Sequence, residues 1–216
     1  MKNDLISIKG NVKCITESNR TCYYDLQGNM IKEIMYDESQ NREYETATFK
    51  NEYDEEGYLI KVEVIGCDEF GSLNQEHTIE YEYLGGFVIE ETHYDDNEDF
   101  HHKWTFVNDR QGNRIIATKY DEFENWEYEL TFKYDDKGHK IEEVKRFYHP
   151  YKIRKITLTR TFKYKYNDKF ALITIYGPQY TSFYRYEFDA IGNWIKLSQS
   201  ENDNPDTITE RIIEYY

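Results

Sequence analysis

A short peptide recurs along the whole chain, and its recurrence leaves few folds open. FKYDDKGHKI at 132–141 returns as YEFDAIGNWI at 186–195. The same frame is legible in YYDLQGNMI (23–31), EYDEEGYLI (52–60), EYLGGFVI (82–89), VNDRQGNRI (107–115) and KYNDKFALI (165–173). Three places after the glycine position stands isoleucine in all seven copies: Ile31, Ile60, Ile89, Ile115, Ile141, Ile173 and Ile195. The glycine holds in six, Phe170 replaces it in the sixth copy, and the third copy is one residue short. Asp-x-x-Gly has a mechanical reason. The Asp carboxylate accepts from the backbone two residues on, and glycine takes the left-handed conformation without a Cβ clash. A type I turn followed by such a glycine closes a tight hairpin with a bulge.

The segments entering the turns alternate with period two. Tyr128, Leu130, Phe132 and Tyr134 share one parity, with Glu129, Thr131 and Lys133 between them. Tyr184, Tyr186 and Phe188 repeat the pattern. Period two predicts strands, and no stretch keeps a 3.6 period, so little or no helix is expected. Seven hairpins and an N-terminal strand around ISIKGNVKCITE give about 15 antiparallel strands. At about 4.8 Å per strand this makes a sheet roughly 70 Å wide, which must twist and curl or close. We expect one all-β domain over residues 1–216: a single antiparallel meander sheet, twisted and curled. The face taken by the repeat isoleucines stays open at this point. A bulged turn pairs Tyr134 with Lys140 and sets Ile141 opposite Lys133, whereas a plain two-residue turn sets Ile141 beside Phe132. As truncation sites, Ile141 and Phe132 are both read as core.

The frame [FY]-x-Y-D-x-x-G-N-x-I resembles the YD repeat of Rhs-type bacterial proteins, most clearly in FKYDDKGHKI, YEFDAIGNWI and CYYDLQGNMI. The resemblance implies a β-hairpin repeat fold and a bacterial source. Large Rhs proteins coil such hairpins into a shell around a toxin, and this chain is too short for one. The resemblance transfers no active site.

Composition narrows the function. With 42 acidic and 27 basic residues the formal charge is −15, a sign that repels phosphate backbones and anionic lipid. Nucleic acid is therefore not an expected partner, nor is membrane insertion, and a basic protein is. Hydrophobic residues are only 38% and mean hydropathy is −0.93, yet there are 22 Tyr and 12 Phe. Tyrosine covers a sheet face that stays partly wet. The three cysteines, Cys14, Cys22 and Cys67, have no metal-ligand spacing and read as strand fillers. The start MKNDLISIKG has no apolar signal core, so the expected location is cytoplasmic if Met1 is the natural start, and exported or cell-surface otherwise.

Catalytic motifs are absent from the sequence: there is no GxSxG, GxGxxG or P-loop. We expect no enzyme, no cofactor and no metal. The densest constellation is HYDDNEDFHH at 93–102. A turn over 95–99 sets Tyr94 against Phe100 and His93 against His101, with Glu91 two places along and His102 on the opposite face. Asp95, Asn97 and Asp99 open like a calcium loop, but Phe100 and Phe106 stand where glycine and a bidentate Glu belong. The edge opposite the Asp-x-x-Gly turns carries dissimilar loops holding Phe70, Phe123, Trp126, Tyr148, Tyr151 and Tyr180. Varied loops on a regular scaffold are where binding concentrates. Phe123, Trp126, Tyr148, Tyr151 and Tyr180 are the candidate partner contacts. The expected function is a non-enzymatic interaction scaffold for a basic protein such as a toxin, through the loop edge or a concave sheet face. The alternative is a carbohydrate-binding module at the bacterial cell surface. A glycan-cleaving enzyme acting through carboxylates ranks third.

Overall fold

The computed structural model describes residues 10–67, 70, 72–147, 158–166, 172–202, 204 and 206–216. The first half of the chain forms β1 (Val12–Glu17), β2 (Arg20–Tyr24), β3 (Met30–Asp37), β4 (Arg42–Tyr53), β5 (Leu59–Cys67), β6 (Leu73–Leu84), β7 (Phe87–Tyr94) and β8 (Phe100–Asn108). The second half forms β9 (Arg114–Tyr120), β10 (Trp126–Tyr134), β11 (Lys140–Phe147), β12 (Leu158–Tyr166), β13 (Leu172–Tyr176), β14 (Thr181–Phe188), β15 (Trp194–Glu201) and β16 (Thr207–Tyr215). Each strand pairs antiparallel with the next, and β1 also pairs with β16, so the sheet closes into a barrel. No helix occurs among the described residues.

The turns follow the sequence argument and extend it. In Asp25–Asn29, Asp54–Tyr58, Asp109–Asn113, Asp135–His139 and Asp189–Asn193, the first amide donates to the fifth carbonyl and the fourth amide to the first carbonyl. In each, the Asp carboxylate also accepts the fifth amide. Gly138 sits at φ 83° and Gly192 at φ 94°, the left-handed region the motif requires. The short third copy turns instead through Gly85 and Gly86, with Leu84 paired to Phe87. The turn of the sixth copy lies outside the described residues.

A second irregularity was not expected, and it curves the barrel. Beyond each turn the register skips the repeat isoleucine: Tyr134 pairs with Lys140, but Lys133 pairs with Glu142, leaving Ile141 as a bulge. The same skip falls at Ile31, Ile60, Ile89, Ile115, Ile173 and Ile195. Ile141 is 40% exposed, so neither face assignment describes it and its reading as core is corrected. Each bulge also withdraws the preceding carbonyl from the ladder. The residue just before the next turn fills it: Tyr83 Oη donates to Leu59 O at 2.9 Å, Tyr134 to Arg114 O at 2.8 Å and Tyr166 to Lys140 O at 2.9 Å. Where asparagine replaces tyrosine, Asn108 Nδ2 donates to Val88 O at 3.0 Å. Four hairpins are thereby stapled to the ones before them; at Met30 O the donor is Asn51 Nδ2 at 3.1 Å, while the Tyr53 hydroxyl bonds Asp25.

The expectation of an open, curled meander of about 15 strands is corrected: the sheet is closed and has 16 strands. Bulges bend and over-twist a strand, and a ring of them at one height rolls the sheet until its ends meet. The uncounted strand is β16, which no repeat turn follows. It behaves as the entering strand of another copy: Tyr215 Oη donates to Asp189 at 2.6 Å and Arg211 Nε to Trp194 O.

Among the described residues the backbones approach closely only between neighbouring strands. One apolar cluster joins Trp104, Phe106, Ala117, Tyr128 and Leu130; another joins Leu172, Tyr184 and Leu197. Sixteen strands enclose a ring roughly 25–32 Å across if circular, too wide for side chains to fill. The accessible surface is 14460 Å², against about 10,600 Å² for a compact globule of this mass. A circular ring of that width has an interior that the described residues line rather than fill. Concave surfaces crowd their side chains, so the parity holding Trp104, Tyr128 and Tyr184 lines the lumen. The opposite parity carries charge ladders, among them Lys32–Glu45 at 2.5 Å, Lys133–Glu142 at 2.6 Å and Arg146–Glu129 at 2.7 Å.

Two outcomes follow. Amide hydrogen exchange should protect β1 and β16 as well as β9, because closure leaves no edge; fast exchange confined to β1 and β16 would restore the open sheet. Tyr83→Phe leaves the Leu59 carbonyl unpaired and should cost about 1–2 kcal/mol in denaturant melts, and a loss below a few tenths would remove the staple from the account.

Candidate functional site

The cross-strand register builds the inner wall in rows. One row runs Tyr81, Glu91, Trp104, Lys119, Tyr128, Phe147 across β6 to β11. The next runs Phe106, Ala117, Leu130, Lys145, Arg160 across β8 to β12. Cations lie over the rings: Lys145 Nζ is 3.7 Å from the Tyr128 centroid, and Arg114 Cζ is 3.4 Å from that of Phe106. A ring face attracts a cation through its quadrupole, so the aromatic wall is also a basic one. Burial, with Glu127 adding, pushes the Tyr128 hydroxyl up to about 12. Burial and the Glu143 carboxylate, which accepts the Tyr164 hydroxyl at 3.0 Å, push Tyr164 well above the tyrosine range.

The histidine constellation forms, with different partners. Tyr94 faces Phe100 as expected, but a bulge skips His101, so His102 stands across from His93. Their rings stack at 4.1 Å. The placing of His101 opposite His93 and of His102 on the other face is corrected, for the same reason as at Ile141. Glu91 accepts from His93 Nε2 at 2.7 Å. Burial raises the Glu91 carboxyl, but the His93 contact outweighs it and holds Glu91 below the usual range. His102 is pushed down to about 4 by burial first, then by His93, Lys119 and His101. Stacking and the Glu91 bond occupy these rings, and no cluster with metal-ligand geometry is found among the described residues. Cys14 and Cys22 are buried free thiols on adjacent strands; Cys22 faces Ile15 rather than Cys14.

The loop-edge aromatics do not converge. Phe123 is 74% exposed at the tip of the Asp121–Asn125 turn, where its amide donates to Asp121 at 3.0 Å. Trp126 is half-buried at the start of β10 and pairs with Tyr120. Tyr180 is half-buried between β13 and β14, its ring 6.3 Å from that of Phe162. Four strand spacings separate it from Trp126, roughly 19 Å along the rim. Tyr148 and Tyr151 lie outside the described residues. This rim is also less varied than its sequence: Asp95–Asp99 and Asp121–Asn125 make the hydrogen bonds of the repeat turn, with Glu98 at φ 63° and Glu124 at φ 59° in the glycine place. The concave face was named from the sequence without its residues, since alternation marks a face without telling packed core from lumen. The signal available was the lysines and glutamates lodged in the aromatic parity.

No family model matches the chain, and no curated protein matches it. Among solved structures it is similar to a porin-like protein from Bacteroides uniformis, with TM-score 0.52 and 12% identity, covering 94% of this chain and 95% of that one. A porin-like protein from Bacteroides vulgatus aligns with TM-score 0.41 and 9% identity over 95% and 99% of the two chains. A Photorhabdus luminescens Tc holotoxin pore aligns with TM-score 0.38 and 14% identity; it covers 91% of this chain, which spans only 12% of the toxin chain. The first likeness shows the barrel fold alone. The other two carry no argument.

The buried imidazole gives a pH dependence. Unfolded His102 takes a proton near pH 6.5, while folded His102 refuses one until about pH 4. Below about pH 6.5 the unfolded state binds more protons, so stability falls with pH through that window and levels off beneath it. His102→Phe keeps a ring against His93 and should flatten the fall of melting temperature between pH 7 and pH 4. An unchanged slope would assign the acid sensitivity elsewhere.

Proposed function

We propose that the protein is a non-enzymatic binding scaffold that takes its ligand against the wall of the barrel lumen. What supports this is a single feature: each apolar cluster joins only adjacent strands, so inward rings, cations and hydroxyls line the interior rather than meet in a central core among the described residues. No helix of the described residues is long and apolar enough to cross a membrane, which says nothing about strands. The wall itself speaks to strands. A lipid-facing barrel needs an apolar outer band, whereas here lysine–glutamate ladders face out and the aromatic parity faces in. We therefore place the barrel in an aqueous compartment. Kinship with YD-repeat proteins belongs to the same proposal, resting on the motif and its regular turns. Saccharide stacking needs free ring faces, and cations cover those of Tyr128 and Phe106.

A basic protein on the outer wall is the second reading. Its support is Glu82 directly opposite Glu90, with Glu52 and Glu80 beside them, four carboxylates that Lys61 and Lys103 offset only in part. Like charges opposed across strands repel, and a cation from a partner would relieve them. The two readings separate in one screen of small amphiphiles, oligosaccharides and basic peptides. Binding that is lost in Phe162→Ser, on the inner wall, and kept in Glu82→Lys is the expected result. The reverse pattern would move the site to the outer wall.

A further inference from the structure

Lys145 and Arg160 stand directly opposite each other on β11 and β12, on the inward face. Two cations in cross-strand register repel. The arrangement is the more telling because the chain carries a formal charge of −15 and pairs other cations with carboxylates. The nearest inward carboxylate, Glu143, is taken by Lys140 at 3.1 Å and by the Tyr164 hydroxyl. Glu127 is taken by Lys119 at 2.9 Å. Neither Lys145 nor Arg160 has a carboxylate within ion-pair distance among the described residues. Their contacts are with rings: Lys145 Nζ is 4.9 Å from the Phe147 centroid and Arg160 Cζ is 5.5 Å from it.

We propose that Lys145 and Arg160 form an oxyanion site in the lumen wall, for the carboxylate, sulfate or phosphate head of a small molecule whose apolar body lies along Leu130 and Phe106. It rests on the lumen reading above and names the ligand class. An ammonium and a guanidinium facing one gap supply several N–H donors to a planar or tetrahedral oxyanion, the strong charge-assisted kind of hydrogen bond. Leu130 precedes Lys145 in the same cross-strand row, and Phe106 closes its far end, so apolar surface adjoins the charge. Burial and then the flanking charges hold the Lys145 ammonium below its ordinary range: Glu143 and Glu127 raise it, while Arg160 and Lys119 lower it. A bound anion reverses that strain. The acidic exterior does not forbid a small anion, because its field is screened beyond about 8 Å at physiological salt. It does disfavour a polyanion, which would have to lie along the acidic wall as well. The site therefore selects small anions over nucleic acid.

The test compares two fluorescent probes on the full chain: anilinonaphthalene sulfonate, and phenylnaphthylamine, the same ring system without the sulfonate. The wild-type protein should bind the sulfonate about tenfold more tightly. Lys145→Gln with Arg160→Gln should bring the sulfonate down to the neutral probe's affinity and leave the neutral probe's own affinity in place. Removing a repelling pair should leave the melting temperature unchanged or raised. Arg160→Gln alone, which keeps Lys145 over Tyr128, should give an intermediate loss should the double variant not fold. Equal affinity for the two probes, or sulfonate binding indifferent to these changes, overturns the anion site; the lumen reading survives if the neutral probe binds and Phe162→Ser weakens it. Failure of both probes to bind the wild-type chain overturns the lumen reading and the anion site with it.

Discussion

A hydroxyl group closing on a stranded carbonyl holds this barrel together. Each bulge at a repeat isoleucine pulls the preceding C=O out of the ladder, and a half-buried carbonyl without a partner costs about as much as a lost hydrogen bond. The tyrosine before the next turn supplies the donor, from Tyr83 to Leu59 and onward to Tyr166 and Lys140. Bulge and tyrosine are thus one device. Without the bulge the sheet would not curve, and without the tyrosine the bulge would be expensive. Asn108 shows that the requirement is a donor of sufficient reach rather than an aromatic ring. Phe188 has no hydroxyl to give, and at the first joint Tyr53 bonds Asp25 while Asn51 serves Met30 O, so the joints are not all built alike.

This device explains how a hollow sheet stands without a central core. Stability comes from neighbour-to-neighbour terms, as in linear repeat proteins, where each unit leans only on the next. Here the line is bent into a ring. Closure by β1 and β16 removes the two edges a linear array would expose, and with them a template for aggregation. The last joint uses the variant seen at Tyr53: Tyr215 bonds the Asp189 carboxylate, fully buried Asn193 donates to Tyr215 Oη at 2.7 Å, and Arg211 serves the Trp194 carbonyl. The ring is sealed by an extra half-copy of the repeat.

The sequence made the hairpins legible because Asp-x-x-Gly encodes its own turn within five residues. What it hid was non-local or lacked a chemical mark. Isoleucine reads as core in any periodic scheme, and nothing in its side chain announces a bulge; Ile141 and His101 were misplaced for that one reason. Strand β16 was missed because strands were counted from the turns that follow them. Glu98 and Glu124 adopt a glycine conformation at a steric cost of about 1–2 kcal/mol, so their turns looked like dissimilar loops although the backbone repeats. The rim aromatics were then grouped by sequence neighbourhood, while the register spreads Trp126 and Tyr180 along the edge.

The two walls differ in a way that folding alone does not require. On the outside, lysine and glutamate alternate across strands, so that Lys133 meets Glu142 and Arg146 meets Glu129. Exposed pairs of that kind contribute little to stability, but they keep a large sheet soluble and fix its register. On the inside, the cations stand over rings, and in one place face each other. A wall selected only for packing would have placed leucine or valine at those positions, as β5 does with Val62 and Val64. The inward parity from β7 to β12 holds Glu91, Lys119, Glu143 and Lys145; across the ring it holds the Arg20–Glu33 and Arg211–Glu17 ion pairs beside aliphatic and small residues such as Ala47 and Gly66. A carboxylate answers each of those far-side cations, whereas Lys145 and Arg160 face each other, and that difference gives the interior an orientation a bound molecule can read.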